Sequence, residues 1–261
     1  MTANRRMRML FLGRKPGAAA ALQYLVQERV EVAAVVAPEH PRAGDGQPHL
    51  DAVARELGLS VLSPSGLDEI LSKNPKSLGP IDLAVSYLYW LRIKPPLLTL
   101  PRLGVINLHP APLPEYRGLG GYNFAILAGD AQFGVSAHFV AETIDTGDVI
   151  EVRRFPIDAE RETAQSLERK SQRHLLALFR DVIDRLLRDG CLPRAPQGPG
   201  RYYTRQEMED AKRVLPEDPA ELVERKIRAF WYPPYEGAYL EREGRRYTLV
   251  SEAILRGLAG E

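Results

Sequence analysis

The sequence predicts an α/β fold: a mostly parallel sheet with crossover helices, closed by a short mixed α+β segment at the C-terminus. Three observations carry that prediction. Short apolar runs alternate with amphipathic stretches about every dozen residues over the first half of the chain, which is how a parallel sheet and its crossovers read in one dimension. One long amphipathic stretch, Ser166 to Asp189, then runs into the breaker-rich GCLPRAPQGPG at 190–200. Beyond it, from 201 to 261, polar and aromatic segments alternate on a shorter scale.

Taken in order, Met9 to Leu12 reads as a buried strand and Ala18 to Gln27 as a helix behind a loop marked by Gly13 and Gly17. Val30 to Ala37 is valine-rich and extended. Leu50, Val53, Ala54 and Leu57 recur at i, i+3, i+4 and i+7, so His49 to Leu57 is an amphipathic helix stopped by Gly58. Ser60 to Leu62 supplies a short strand, Leu67 to Ser72 a short helix and Leu83 to Tyr87 a strand; a further helix is expected after Pro95-Pro96. Strands follow at Val105-Ile106, Val135 to Val140 and Val149 to Phe155. Along the long helix Leu175, Leu178, Phe179, Val182, Ile183 and Leu186 share one face, flanked by His174, which reads as a surface residue. A charged helix around Glu221 to Arg228 and a hairpin over Tyr239 to Val250, turning near Gly244, complete the tail. The chain thus divides into a main domain over 1–190 and a small extension over 201–261.

Apolar residues make up 44% of the chain and charged ones 26%, which is enough to build a sizeable core. Lys and Arg number 35 against 34 Asp and Glu, a balance that disfavours nucleic acid as a partner. Arg5, Arg6 and Arg8 read as solvating charge. The single cysteine, Cys191, excludes an intramolecular disulfide and a cysteine-based metal cluster, and reads as an inert small hydrophobe at a helix end. Zinc-type H-x-x-x-H and C-x-x-C spacings are absent, as is a G-x-S-x-G elbow, so no metal site is expected. LGRKPG matches neither the dinucleotide fingerprint nor a phosphate loop. No apolar run reaches the length of a membrane span and MLFL is too short for a signal sequence, so a cytoplasmic protein with no membrane partner is expected.

The chemistry concentrates between Gly104 and Ile150. Asn107 and His109 are two apart, so on an extended segment their side chains share one side. Pro110, Pro112 and Pro114 stiffen the loop that follows. Asp145 lies just beyond the strand that holds His138, before the turn-forming Thr146-Gly147. If the two strand ends are neighbours, the carboxylate can orient the imidazole, and the Asn107 amide can donate to an oxygen on which charge develops. Spacing alone leaves two readings open, a catalytic set and a buried structural pair with an asparagine beside it. His138, which alternates with Val135, Ala137 and Phe139, is equally open between a satisfied core histidine and a direct catalyst.

INLHPAPLPEYRG, FGVSAHFV and TIDTGDVI, in that order and spacing, resemble the 10-formyltetrahydrofolate-dependent formyltransferases. The resemblance covers residues from about 7 to about 190 and implies a Rossmann-like formyltransferase fold. It implies an enzyme that moves a formyl group from N10-formyltetrahydrofolate to an amine, with Asn107, His109 and Asp145 as the catalytic residues. It also places the pterin against the segment after the strand preceding N-x-H, here Tyr87, Leu88, Tyr89, Trp90 and Ile93. An aromatic and aliphatic lining suits a flat heterocycle, while ordinary core packing is the competing account of Trp90.

Within the family the chain resembles the sugar N-formyltransferases more than the methionyl-tRNA enzymes. The tail is shorter than a full C-terminal barrel, APEHPRAGDGQP after Val36 is short for an acceptor-stem loop, and no tRNA surface stands out in the charge balance. A nucleotide-linked amino sugar is therefore the expected acceptor, with Arg117, Tyr122 and Asn123 as candidate contacts, although Tyr122 and Asn123 equally suit the start of a helix. Methionyl-tRNA or another amine, formyl-folate hydrolysis and a non-catalytic folate-binding protein are the alternatives. The aromatic segment KIRAFWYPPYEGAYLE is read as packing or as a homodimer contact through the C-terminal region rather than a base-stacking surface.

Overall fold

The computed structural model describes residues 6–39 and 49–259. Arg5 and most of the APEHPRAGDGQP segment, 40–48, lie outside the described residues. The described chain forms two compact units, one drawn from 1–109, 135–152 and 174–198, the other from 110–134, 153–173 and 199–261.

The first unit is the Rossmann-like part. Strand β1 (Arg8–Gly13) leads into α1 (Lys15–Gln27) and β2 (Glu31–Val36), then α2 (Leu50–Glu56), β3 (Val61–Leu62), α3 (Pro64–Lys73), β4 (Leu83–Tyr87) and β5 (Val105–His109). Two further strands carry the chain between the units, β7 (Gln132–Phe139) and β8 (Val149–Pro156), after β6 (Arg117–Gly118) and α4 (Gly121–Ala128) of the second. The seven-stranded sheet runs β3-β2-β1-β4-β5-β7-β8. Pairs through β5 are parallel and β5·β7 is antiparallel, so the sheet is mostly parallel as expected.

The central strands β1 and β4 each carry a continuous apolar run, as strands covered on both faces do. Met9, Leu10, Phe11 and Leu12 are fully buried, and so are Leu83, Ala84 and Val85. Helix α5 (Ala164–Asp189) presents the stripe Leu175, Leu178, Phe179, Val182, Ile183 and Leu186, all buried. Phe179 meets the rings of Phe11, Tyr24 and Tyr87 edge-on at centroid distances of 6.4, 6.3 and 5.7 Å. Each such large side chain, fully buried, contributes about 1.5–3 kcal/mol. His174 beside the stripe is half-buried.

Two expectations are corrected here. No helix forms after Pro95-Pro96; residues 94–101 make successive turns instead. Pro95 and Pro96 could open a helix, but Pro101 lacks the ladder N–H and disfavours a helical Leu100, so the few residues between cannot sustain one. Cys191 lies just past the end of α5 but is exposed rather than packed. Gly13 has a packing role: a Cβ there would lie 2.9 Å from both the Ala18 Cβ and the Tyr87 carbonyl oxygen, so its absence lets β1 turn closely into α1.

In the second unit, β6 pairs with β9 (Tyr202–Tyr203), followed by α6 (Arg205–Ala211) and α7 (Ala220–Phe230). The hairpin appears as β10 (Tyr239–Arg242) and β11 (Arg245–Thr248), turning at Glu243-Gly244, and α8 (Glu252–Ala259) closes the fold. Helix α6 is an addition to the expected elements, although T-x-x-E marks it: Thr204 Oγ1 accepts from the Glu207 N–H and the Glu207 carboxylate accepts from the Thr204 N–H. The aromatic segment packs within this unit through Phe230 and through Tyr232, whose hydroxyl donates to Glu168, while Tyr235 stays exposed.

Asp218 and Lys226 tie the start of α7 together, 2.6 Å apart with both side chains largely buried. The Lys226 hydrogen bond, helped by the Leu215 N–H and opposed by burial, holds the Asp218 carboxyl below the ordinary carboxylate range. A lowered folded-state pKa stabilises above the unfolded value, about 3.9, and that stabilisation disappears as pH falls through the folded value. Asp218→Asn should therefore lower the thermal midpoint at about pH 7, and the gap from wild type should narrow as the pH drops below about 4. A gap independent of pH would refute the pairing.

Candidate active site

The site is built on the register of three adjacent strands in the first unit. Ser86 on β4 pairs with Asn107 on β5, and Asn107 pairs across the antiparallel ladder with His138 on β7. Side chains of registered residues stand on the same face, so the three form one row. Ser86 Oγ donates to Asn107 Oδ1 at 2.7 Å, Asn107 Nδ2 lies 3.1 Å from His138 Nε2, and His138 Nδ1 lies 2.8 Å from the Phe139 carbonyl oxygen.

Two residues along β5 from Asn107, His109 ends the strand on the same face. Asp145 reaches both imidazoles: its carboxylate lies 3.7 Å from His109 Nδ1 and 3.6 Å from His138 Nε2. These separations are longer than hydrogen bonds. The two rings meet edge-on, with centroids 6.2 Å apart. All three groups are nearly withdrawn from solvent, with side-chain exposures of 8% for His109, 9% for Asp145 and 2% for His138. In such a setting a fixed charge acts on an imidazole far more strongly than in water.

The loop that delivers Asp145 is tightly made. Asp145 itself has a left-handed backbone, φ 56°, which an aspartate tolerates better than most residues. Thr146 Oγ1 donates to the Thr143 carbonyl at 3.0 Å. A Cβ at Gly147 would lie 1.9 Å from the Phe139 carbonyl oxygen, so only glycine lets the loop press against β7. Gln197, in the stretch read as a plain linker, donates its Nε2 to the carbonyls of Asp145 at 3.0 Å and Gly147 at 2.6 Å. Ala195, two residues earlier, bridges to Val149, so this stretch straps the loop down. No periodicity marks Gln197.

The structure thus brings Asn107, His109 and Asp145 together and adds Ser86 and His138 to them. The open reading of His138 as a histidine satisfied by its neighbours is consistent with its hydrogen bonds, but the neighbours it binds are the site residues themselves.

The segment Tyr87–Ile93 divides. The Tyr87 ring is sealed in the core against Phe179, where burial raises its phenol pKa, and Ile93 packs in the cluster with Leu10 and Ala84. Neither side chain lines an open surface, so these two residues offer a heterocycle their main chain only; alternation along β4 turns Tyr87 away from the face of Ser86. Leu88, with φ 54°, opens a turn beyond β4, and Tyr89 and Trp90 are half-buried with ring centroids 4.8 Å apart. Burial, with Asp68 adding, pushes the Tyr89 phenol up to about 12. Arg14 lies over the Trp90 ring at 5.8 Å. Main chain free of helix and strand beside half-buried aromatics fits a flat, polar-edged heterocycle.

Arg117, Tyr122 and Asn123 lie in the second unit. Arg117 sits on β6, Tyr122 packs against Phe133, and Asn123 Nδ2 donates to the Ala229 carbonyl at 2.6 Å, joining α4 to α7. Among the described residues no group of His, Cys, Asp and Glu is arranged to hold a metal, and no helix is long and apolar enough to cross a membrane.

An amide at the middle of β5 and a carboxylate-backed imidazole at its carboxyl end form a set suited to group transfer at a carbonyl. The chain belongs to the formyl transferase family, whose model matches residues 7–183. It is 33% identical over 261 residues to the methionyl-tRNA formyltransferase of Paracoccus denitrificans (strain Pd 1222), covering 96% of this chain and 84% of that protein. Its fold is that of an N-formyltransferase from Helicobacter canadensis solved with folinic acid and dTDP-3-aminofucose, with a TM-score of 0.75 at 21% identity over 92% of this chain and 86% of that one. WlaRD, a sugar 3N-formyl transferase solved with dTDP and 5-N-formyl-THF, is similar at a TM-score of 0.76 and 19% identity, covering 93% of this chain and 85% of that one.

Proposed function

We propose that this protein transfers the formyl group of N10-formyltetrahydrofolate to a primary amine, and that the amine belongs to a nucleotide-linked amino sugar. The observation that carries the chemistry is the joining of Asn107, His109 and Asp145 through one strand register and one strapped loop. The acceptor amine adds to the formyl carbon, placing negative charge on the formyl oxygen, and the adduct then collapses with cleavage of the bond from that carbon to the folate nitrogen. Asn107 Nδ2 donates to the formyl oxygen as it gains charge, and a protonated His109 adds a second donor. Asp145 faces Nδ1 of His109 and orients the ring, so the opposite edge of the ring is the one that works. The proton lost by the amine ends on the folate nitrogen, with His109 on its path. The half-buried aromatic segment over 88–90 would hold the heterocycle.

The sugar acceptor rests on the near-neutral charge, 35 basic against 34 acidic residues, which gives a polyanionic tRNA little to hold. Methionyl-tRNA is the second reading, favoured by the 33% identity to the Paracoccus denitrificans enzyme. The reading extends to a cytoplasmic enzyme with its chemistry in residues 1–190, and to a homodimer through the C-terminal extension, where Tyr235 and Tyr247 are exposed. The test offers formyl-folate with a panel of dTDP- and GDP-linked amino sugars and, separately, with charged initiator tRNA. Mass spectrometry should find the amino sugar heavier by one formyl group. Formylation of methionyl-tRNA alone would replace the acceptor, and release of formate without any formylated amine would replace transfer by hydrolysis.

A further inference from the structure

We propose that Ser86 and His138 are positioning residues that lock the Asn107 side-chain amide with one N–H left for the reacting oxygen. The inference rests on the formyl-transfer reading above, and its logic is one of donors and acceptors.

It begins at a group that cannot switch roles. The Phe139 carbonyl only accepts, so His138 Nδ1, 2.8 Å away, carries a proton. In the singly protonated ring Nε2 is then a lone pair, and its partner at 3.1 Å must donate. Of the two ends of the Asn107 amide only Nδ2 can do so, which directs Oδ1 to Ser86, whose hydroxyl donates to it at 2.7 Å. The Asp145 carboxylate, the charged group facing the same edge of His138, is 3.6 Å away and outside hydrogen-bond length. The row thus uses one Nδ2 proton and the amide oxygen, and leaves the second Nδ2 proton as a donor.

A primary amide is nearly symmetric in shape, so an unclamped Asn107 would turn its carbonyl toward a developing oxyanion for part of the time. Fixing the donor in advance is what makes such a group effective. Ser86 adds to this, because donation into an amide oxygen polarises the N–H groups at the other end. His138 is nearly buried and Ser86 is flanked by β1 and β5, so both jaws of the clamp sit on rigid strands.

Two measurements test this. Nitrogen-15 NMR of histidine-labelled wild-type protein, with its five imidazoles assigned, should show His138 protonated on Nδ1 and bare on Nε2. A proton on Nε2 overturns the proposal, whatever the protein catalyses. Ser86→Ala should lower kcat by about tenfold, the loss of one well-placed hydrogen bond, with KM for both substrates little changed. A variant with wild-type kcat, or one in which only the thermal midpoint falls, shows Ser86 to be structural and overturns the positioning role. Wild-type protein inactive with every amine would instead sink the transfer reading, and the NMR result would still stand by itself.

Discussion

His109→Ala should lower kcat by at least about a hundredfold while leaving KM for formyl-folate close to wild type. The ring is held by Asp145 at 3.7 Å and sits almost out of solvent, where an imidazolium is worth more to a growing negative charge than it is in water. An interaction made chiefly in the transition state shows in kcat and in kcat/KM together, and little in KM. The fold should survive, because Asp145 keeps His138 at 3.6 Å and Gln197 keeps the loop. Asp145→Asn provides the companion measurement: the shape is preserved and the charge behind the ring is lost, so kcat should fall again with an unchanged thermal midpoint. Either variant running near the wild-type rate would remove the residue from the mechanism.

Local patterns in the sequence are enough for much of the fold. Uninterrupted apolar runs at 9–12 and 83–85 announce buried strands, and a six-residue stripe announces α5, because both signals are repeated along the chain. Asn107, His109 and Asp145 are legible because their motifs come in a fixed order. What cannot be read depends on partners remote in sequence. Whether Asn107 stands beside His138 or one residue off is a matter of strand register, and a single slip would put His138 on the other face. Gln197 contacts a loop 50 residues away from within a segment whose composition says only that it is irregular. That the side chains of Tyr87 and Ile93 are buried is equally illegible, because aromatic and aliphatic residues suit a heterocycle and a core alike.

The second large effect is expected at a residue with no chemistry of its own. Gly147→Ala places a methyl carbon 1.9 Å from the Phe139 carbonyl oxygen and 2.8 Å from its carbonyl carbon, distances no real contact reaches. Both are main-chain atoms of β7, so no side chain can swing aside. The loop must move instead, and with it Asp145, whose left-handed backbone and Gln197 hydrogen bonds already fix it narrowly. Overpacking of this kind destabilises by about 1–3 kcal/mol. The catalytic loss should be larger, about a hundredfold in kcat, because a shift of about 1 Å at a positioned group has that effect. Gly257→Ala, where a Cβ meets nothing within 4 Å at an exposed position of α8, supplies the control and should be neutral or stabilise slightly. The same carbonyl that excludes a Cβ at Gly147 accepts the His138 Nδ1 proton, so displacing Phe139 should also disturb the tautomer of His138. A Gly147→Ala protein with wild-type kcat would mean that Asp145 does not need its observed position, and the role given to the carboxylate would fall with it.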